Sequence, residues 1–255
     1  MNGRSRIEHA ALSHEGRVRT NNEDAYCVRA EDGLFLVADG MGGHENGEWA
    51  SAAIAEAISS VVLPPDFDAA SQAVAEALHG ANAVIYAEAQ SRGLQMGSTA
   101  VALLVRDERF AILWVGDSRA YLRRDGQLIQ MSHDHTQVQE MIDRGLLTPE
   151  DAEGHPMSHI LARAMGVRAH VEVDVITDET EPGDVFLLCS DGLTARVEPR
   201  EIEAVLGDAD ADSRARRLVG MTLERGAPDN VTVITVGIRQ TTALNLNKPL
   251  HAVAP

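Results

Sequence analysis

The alternation of apolar and polar positions divides the first third of the chain into strands followed by helices. Three strand-like runs come first, at residues 6–13, 25–29 and 34–38. Two stretches with apolar residues at helical spacing follow, one on the face of Ala50, Ile54, Ile58 and Val61 and one on the face of Val74, Leu78, Ala81 and Ile85. The sequence LPPDFD separates these helices, because prolines end a helix and either Asp66 or Asp68 can cap the next one.

Strand-like runs resume after the helices and dominate the remainder of the chain. Four of them lie close together, at residues 98–106, 109–116, 118–124 and 126–131. The short turns DE and DG between them are typical of hairpins, so we expect an antiparallel meander. Two further runs, HVEVDVIT and DVFLLCS, precede a helical stretch around 212–224 and a closing strand at 231–239. Grouped strands and grouped helices favour an α+β or layered sandwich fold over strictly alternating β and α units.

One long segment interrupts the strands. Residues 133–169 are mostly helical in pattern and too long for an ordinary connection, so we expect an insertion over one end of the sheet. We predict a single domain over residues 1–240, and a loose tail over residues 241–255, where no clear period remains.

Charge and cysteine content restrict the classes of partner. With 39 acidic against 22 basic side chains, the formal charge of −17 repels nucleic acid and anionic lipid surfaces. No apolar run approaches the roughly 18 residues of a spanning helix, and the N-terminus lacks a signal-peptide pattern, so we expect a cytoplasmic protein. Cys27 and Cys189 lie in apolar runs, which is typical of buried, reduced cysteine.

Several apolar strands end in an acidic residue. Asp39 follows LFLVA, Asp117 follows ILWVG, and Asp191 follows VFLLCS, while Asp229 precedes the closing strand. A single Asp after a strand is a common turn residue. If the closing strand is antiparallel to the others, however, four carboxylates meet at one end of the sheet, and such a gathering requires a compensating cation.

The donor types restrict that cation to a hard metal ion. Carboxylates suit Mg²⁺ or Mn²⁺, whereas Zn²⁺ favours Cys and His, and here neither cysteine has a paired ligand spacing. Glu23 and Asp24 add two carboxylates just before a strand. Arg19 lies four residues upstream of Glu23 and carries the planar fork that binds two phosphate oxygens. Hard cations beside an arginine indicate a phosphoryl-transfer site.

Six short motifs, taken in order, extend this interpretation to a family. They are RTNNEDA, VADGMGGH, GSTA, GDSR, SDGL and PDNVTVI. Together they resemble the metal-dependent type 2C (PPM) Ser/Thr protein phosphatases in their compact bacterial form, over residues 11–238. The resemblance implies a four-layer α-β-β-α sandwich, in which two central antiparallel sheets are flanked by helix pairs and carry a helical flap at residues 133–169.

The resemblance also implies a role for each candidate residue. Asp39 would bridge two Mn²⁺ or Mg²⁺ ions, the Gly40 carbonyl would bind one of them, and Asp191 and Asp229 would hold the second. Glu23 and Asp24 would orient coordinated waters. Arg19 would bind the substrate phosphate. Many bacterial relatives bind a third ion, for which Asp117 and Asp191 are the matching positions. The implied partners are phosphorylated proteins and a bacterial Ser/Thr kinase whose action this enzyme, acting as a monomer, would oppose.

Two positions depart from the family pattern. Met41 stands where many eukaryotic relatives carry a histidine proposed as general acid, so the proton donor is unassigned, with His44 and metal-bound water as alternatives. His159 stands in the flap where relatives often carry Asn or Ser, which leaves the third metal site open.

Three other functions compete with a phosphoprotein phosphatase. A pseudophosphatase would be expected to have lost some of Asp39, Asp191 or Asp229, and all three are present. A metal-dependent phosphoesterase acting on small molecules remains an alternative. A dinucleotide-binding enzyme is disfavoured, because Glu45 stands where the last glycine of GxGxxG is required.

Overall fold

Two antiparallel sheets form the centre of the molecule in a computed structural model that describes residues 6–43, 45–152, 155–208 and 210–239. The first sheet has the spatial order β1 (Arg6–His14), β11 (Val231–Arg239), β10 (Val185–Cys189), β7 (Arg119–Arg124) and β8 (Gln127–Gln130). The second has the order β2 (Asp24–Arg29), β3 (Leu34–Met41), β5 (Ala100–Arg106), β6 (Arg109–Val115) and β9 (Asp174–Glu179), with β4 (Gly97–Ser98) paired to the end of β3. The strand boundaries predicted from alternation are correct to within a few residues.

Helices cover the outer face of each sheet. The long helices α1 (Glu45–Ser60) and α2 (Phe67–Arg92) pack on the second sheet, and α6 (Pro199–Leu206) and α7 (Ala211–Glu224) pack on the first. A third apolar cluster, which includes Phe35, Phe110 and Phe186, fills the space between the sheets. Burial of both faces of each sheet explains why the central strands are continuously apolar. The predicted α-β-β-α sandwich is confirmed.

The break between α1 and α2 has the predicted cause. Asp66 is the N-cap of α2, and its side chain accepts a hydrogen bond of 2.9 Å from the Ala69 amide. Gly93 ends the same helix in the left-handed conformation, with φ of 64°. Asp68, the other candidate cap, instead lies in the first turn and pairs with Arg109 at 2.9 Å.

The predicted meander is wrong, because its four strands belong to two different sheets. The hairpins themselves are present: Asp107, Glu108 and Asp125 all have positive φ, as two-residue turns of this kind require. The connection from β6 to β7 is not a hairpin, however. It crosses from one sheet to the other at Gly116, whose φ of 103° redirects the chain. This crossover places Asp117 in the loop that connects the two sheets.

The flap segment contains less helix than its pattern indicated. Among the described residues of the flap, the only helices are α3 (Gln137–Asp143) and α4 (Pro149–Ala152), and residues 155–173 form turns and isolated bridges. These residues are held by backbone pairing instead: Met165 pairs with Ser98 of the sandwich, and Leu161 pairs with Thr136 within the flap. A four-residue helix, α5 (Asp191–Thr194), was not predicted, nor was α6.

Two further sequence predictions concern the C-terminal tail and membrane-spanning helices. The predicted tail, residues 241–255, lies outside the described residues. Within the described ranges, no helix combines the length and the apolar character needed to cross a membrane.

Candidate metal centre

The acidic residues predicted from strand ends meet at one end of the sandwich. Asp39 lies at the end of β3, Asp191 follows β10, and Asp229 precedes β11, which runs antiparallel to β10. They line one cavity of about 480 Å³. The same cavity is lined by Arg19, Glu23, Gly40, Asp117, His159 and Asn230, among others. The structure therefore brings together almost all of the predicted site residues, from segments far apart in sequence.

Asp24 lies beside this cavity and does not line it. In the register of β2 and β3 it is directly opposite Asp39, an arrangement of like charges that destabilises a sheet. Its Oδ2 atom accepts hydrogen bonds from Ser190 Oγ at 2.8 Å and from Thr232 Oγ1 at 2.7 Å. Its Oδ1 atom is buried and has no hydrogen-bond partner. Half of this carboxylate is thus held by neutral donors, and half is left unsatisfied.

Burial and mutual repulsion raise the pKa of four acids of the site, Asp24, Asp39, Asp117 and Asp191. Burial raises the pKa of Asp24 to about 7, and the charges of Asp191 and Asp229 add to the shift. Burial also raises the pKa of Asp117 to about 7, together with repulsion from Asp191. The pKa of Asp39 lies well above its usual range for the same reasons, and that of Asp191 is also raised. These raised pKa values show that burial and crowding disfavour the charged form of these carboxyls, which a bound cation would favour.

The nearest arginines do not neutralise the cluster. Arg119 donates from Nε and Nη2 to the carboxylate of Asp134, at 2.9 and 2.7 Å, and is therefore engaged outside the cavity. Arg19, predicted to bind phosphate, is half-exposed at the cavity rim and pairs with Asp229 at 2.8 Å. Arg196 also lines the cavity, so among its described lining residues two guanidinium groups face five carboxylates.

The glycines after Asp39 permit a close approach of β3 to the start of α1. A Cβ atom on Gly40 would overlap the Gly47 carbonyl oxygen, and one on Gly47 would overlap the Glu23 carboxylate. Glu23 is buried in this contact and lines the cavity. The glycine-rich turn therefore serves to pack an acidic side chain against a helix N-terminus, where its charge is favoured.

Comparisons with known proteins agree with this geometry. A family model described as protein phosphatase 2C matches residues 13–231, which is most of the chain. The chain belongs to the protein phosphatase 2C family. Serine/threonine protein phosphatase PstP of Mycobacterium tuberculosis is 38% identical over 237 residues. That match covers 91% of this chain but 45% of PstP, so the chain spans less than half the length of this curated relative.

Two solved structures of the protein phosphatase 2C family show the same fold. PppA, a key regulatory component of T6SS in Pseudomonas aeruginosa, is 39% identical, with a TM-score of 0.87 over 93% of this chain and all of that one. The catalytic domain of PstP is 36% identical, with a TM-score of 0.80 over 92% of this chain and 99% of that one. The PstP catalytic domain was solved in complex with two manganese ions.

The donor set of this protein phosphatase 2C member fits hard divalent cations. Its oxygen donors are crowded and poorly neutralised, and the unpartnered Asp24 Oδ1 is a further mark of missing positive charge. Among the described residues, no three His, Cys, Asp or Glu side chains are arranged closely enough to hold a metal ion together. Asp229 is turned to Arg19 and Asp24 to two hydroxyl groups, so both carboxylates have other partners.

A smaller pocket of about 140 Å³ lies where a third ion is expected. Asp117, Asp191, Ser158 and His159 line it, among others. His159 Nδ1 is 3.9 Å from Asp191 Oδ2, although the imidazole is largely exposed. The departure at His159 therefore places a nitrogen donor beside the two carboxylates. His44, the other histidine considered, lies outside the described residues.

Four polar residues inside the quoted motifs support the acids, and sequence reasoning assigned them no role. Thr99 Oγ1 accepts the Asp39 amide hydrogen at 3.0 Å and shares a hydrogen bond of 2.6 Å with Ser118. Asn230 Oδ1 accepts the Glu23 amide hydrogen at 2.8 Å. Ser190 contacts Asp24, as described above. Ser118, Ser190 and Asn230 are each adjacent in sequence to a predicted acid, and that proximity was the available signal. Thr99 lies in the motif GSTA, which contains no predicted ligand.

The buried cysteines have no place in this chemistry. Both are free thiols, and burial raises the pKa of Cys189 to about 12, which keeps it protonated. A covalent thiol-phosphate route is therefore disfavoured.

Proposed function

We propose that this chain hydrolyses phosphoserine and phosphothreonine in proteins, with two Mn²⁺ or Mg²⁺ ions at the candidate metal centre. The observation that carries the proposal is the convergence of Asp39, Asp191 and Asp229 on one cavity that lacks matching positive charge. Family membership and the manganese-bound PstP catalytic domain support it. The cavity is open to solvent and accommodates a phosphorylated side chain.

Each residue has a proposed task. Asp39 and the Gly40 carbonyl would hold one ion, and Asp39, Asp191 and Asp229 the other. Bound there, the ions would supply a water of lowered pKa as nucleophile and neutralise charge on the phosphoryl group. The Glu23 and Asp24 carboxylates would orient water by accepting its hydrogen bonds.

Arg19 would bind the substrate phosphate through its guanidinium fork. The hydrogen bond to Asp229, together with the negative charges of Asp229, Glu23 and Asp39, raises the pKa of Arg19 and keeps it a cation. The proton donor to the leaving alkoxide stays unassigned, since Met41 lines the cavity where a histidine would be needed. We also propose a third ion at Asp117, with His159 beside it.

The proposal extends to the cellular role. We propose that the chain acts as a cytoplasmic monomer on the phosphoprotein products of a bacterial Ser/Thr kinase. Phosphoproteomic comparison of cells with and without the active enzyme identifies those products. A sedimentation measurement at micromolar concentration tests the monomer.

A peptide assay tests the chemistry. Hydrolysis of a phosphothreonine peptide is expected to require Mn²⁺ or Mg²⁺ and to disappear in Asp39→Asn. Asp212→Asn is the matched control, because Asp212 is exposed on α7 far from the cavity lining. Equal turnover without divalent metal, or in Asp39→Asn, would contradict the mechanism. Metal binding without turnover of any phosphopeptide would favour the pseudophosphatase, and preference for small phosphate esters would favour the phosphoesterase.

A further inference from the structure

An uncharged groove opens beside the catalytic cavity. It has a volume of about 600 Å³ and lies between the C-terminal end of α2, the loop that follows it and the flap. Its rim carries three exposed apolar side chains, Leu94, Ile160 and Val167. Among the described residues that line it, none is Asp, Glu, Lys or Arg. In a chain with 24% charged residues, such a lining marks a surface suited to apolar contacts.

The groove is continuous with the catalytic cavity. Met41, Gly42, His159 and Leu161 line both of them. A ligand with its phosphate in the cavity can therefore extend directly into the groove without crossing open surface. The occupant that meets both conditions is a peptide segment that carries a phosphorylated residue and a nearby apolar side chain.

The groove wall is held in place by hydrogen bonds to the sandwich. Met165 and Ser98 exchange backbone hydrogen bonds of 2.9 and 3.1 Å, and the Gly166 amide donates to Asn82 Oδ1 at 2.7 Å. Met96 and Ala164 are buried beneath the groove. A largely preformed apolar site loses little entropy when a side chain enters it.

Charge also restricts the occupant. The described residues that line the groove include no Lys or Arg that would pair with an acidic flanking residue of the peptide. The lining therefore favours an apolar residue over an acidic one.

We propose that this groove binds a large apolar side chain of the substrate protein, close in sequence to the phosphothreonine, and thereby determines which phosphoproteins are hydrolysed. The inference rests on the proposed phosphatase function. It goes further, because it names a recognition element outside the metal centre.

A positional scan of peptides provides the test. Each peptide contains one phosphothreonine in an Ala and Ser background, with a single Leu placed in turn at each of the four positions on either side. We expect kcat/KM to rise about tenfold over the peptide without Leu at one or two neighbouring positions, in line with the discrimination that an apolar pocket achieves.

Two variants assign the preference to the groove. In Val167→Asp, the ratio of kcat/KM for the best Leu peptide to that for the peptide without Leu should fall towards one. In Val84→Asp the ratio should be retained, because Val84 is similarly exposed but lies on α2 outside the groove. General damage to the enzyme lowers both values and leaves their ratio unchanged, so the ratio reports on the groove alone.

The outcomes separate the two proposals. Equal kcat/KM for all Leu positions, or a ratio unchanged in Val167→Asp, overturns the groove assignment and leaves the phosphatase function standing. A dimer in sedimentation that dissociates in Val167→Asp, with the ratio unchanged, shows that the groove binds a second copy instead. Absence of metal-dependent turnover of every peptide overturns the proposed function, and the groove assignment with it.

Discussion

Replacement of Asp24 by Asn should stabilise the metal-free protein, and more so at pH 8 than at pH 5. The buried carboxylate accepts two hydrogen bonds through Oδ2 and none through Oδ1. Burial raises its pKa to about 7, with added repulsion from Asp191 and Asp229. An amide has the same shape, keeps an acceptor for Ser190 and Thr232, and carries no charge.

The sign and size follow from the pKa. Because the folded carboxyl binds its proton more tightly than the unfolded one, stability falls as pH rises from the ordinary value of 3.8 to about 7. Above about pH 7 the full cost of burying the ionised Asp24 carboxylate is present. Between pH 5 and pH 8 the cost grows over about two pKa units, which is about 2.7 kcal/mol. The advantage of Asp24→Asn should therefore be larger at pH 8 by roughly that amount.

The difference between the two pH values removes other contributions. A buried amide has its own cost, since its Nδ2 would replace the unpartnered oxygen, but that cost does not change with pH. Burial lowers the pKa of His135, so the stability that its neutral form contributes is lost as pH falls below the ordinary value near 6.5. This pH dependence is opposite in sign to that of Asp24. That effect is present in both proteins and cancels.

Urea unfolding followed by circular dichroism, in EDTA at pH 5 and pH 8, measures the effect. Asp212→Asn is the control: it removes an exposed pair with Arg216, worth less than about 1 kcal/mol at either pH. The reasoning fails if the free energy of unfolding of Asp24→Asn, relative to the unsubstituted protein, is the same at both pH values, or is smaller at pH 8.

Three further substitutions, one of them with a matched control, test individual contacts. Arg19→Lys should raise KM for a phosphothreonine peptide about tenfold with little change in the free energy of unfolding, because a point charge replaces a bidentate fork; steady-state kinetics checks this. Gly40→Ala should destabilise the fold by about 1–3 kcal/mol in urea, since its Cβ would overlap backbone, whereas Gly80→Ala, open to solvent on α2, should stabilise it by about 1 kcal/mol. Asp66→Ala should cost about 1 kcal/mol in the same assay, because α2 loses its N-cap.

The meeting of the acids could be predicted because it depends on few assumptions. Each of Asp39, Asp191 and Asp229 is adjacent to an apolar strand, and antiparallel pairing alone brings the end of β10 to the start of β11. The two hairpin turns could also be predicted, because the positive φ of their residues is a local property of a two-residue turn.

Sheet membership could not be predicted from local pattern. Two hairpins separated by Gly116 have the same alternation whether they share a sheet or not, and the choice depends on contacts between residues far apart in sequence. The flap was overestimated as helix for a related reason. Residues 155–173 are held by bridges to Ser98 and Thr136, which lie elsewhere in the chain.

The polar environment of the site differs from that of buried acids elsewhere in this protein. Asp184 is almost fully buried and receives two hydrogen bonds from Arg124, at 2.9 and 2.7 Å, so its charge is matched. Asp24 is held by the hydroxyl groups of Ser190 and Thr232 instead.

Hydroxyl and amide donors orient a carboxylate without neutralising it. At Asp39 the backbone amide donates to the Thr99 hydroxyl and the backbone carbonyl accepts from the Ser98 hydroxyl, so these hydroxyls fix the position of the residue and leave the charge of its carboxylate unmatched. Arginines at these positions would make the fold more stable and would compete with a metal ion for the same oxygens. Burial without a matching cation therefore explains both the raised pKa values and the capacity of this cavity to attract divalent ions. We therefore expect stability and metal affinity to change in opposite directions when a site carboxylate is neutralised.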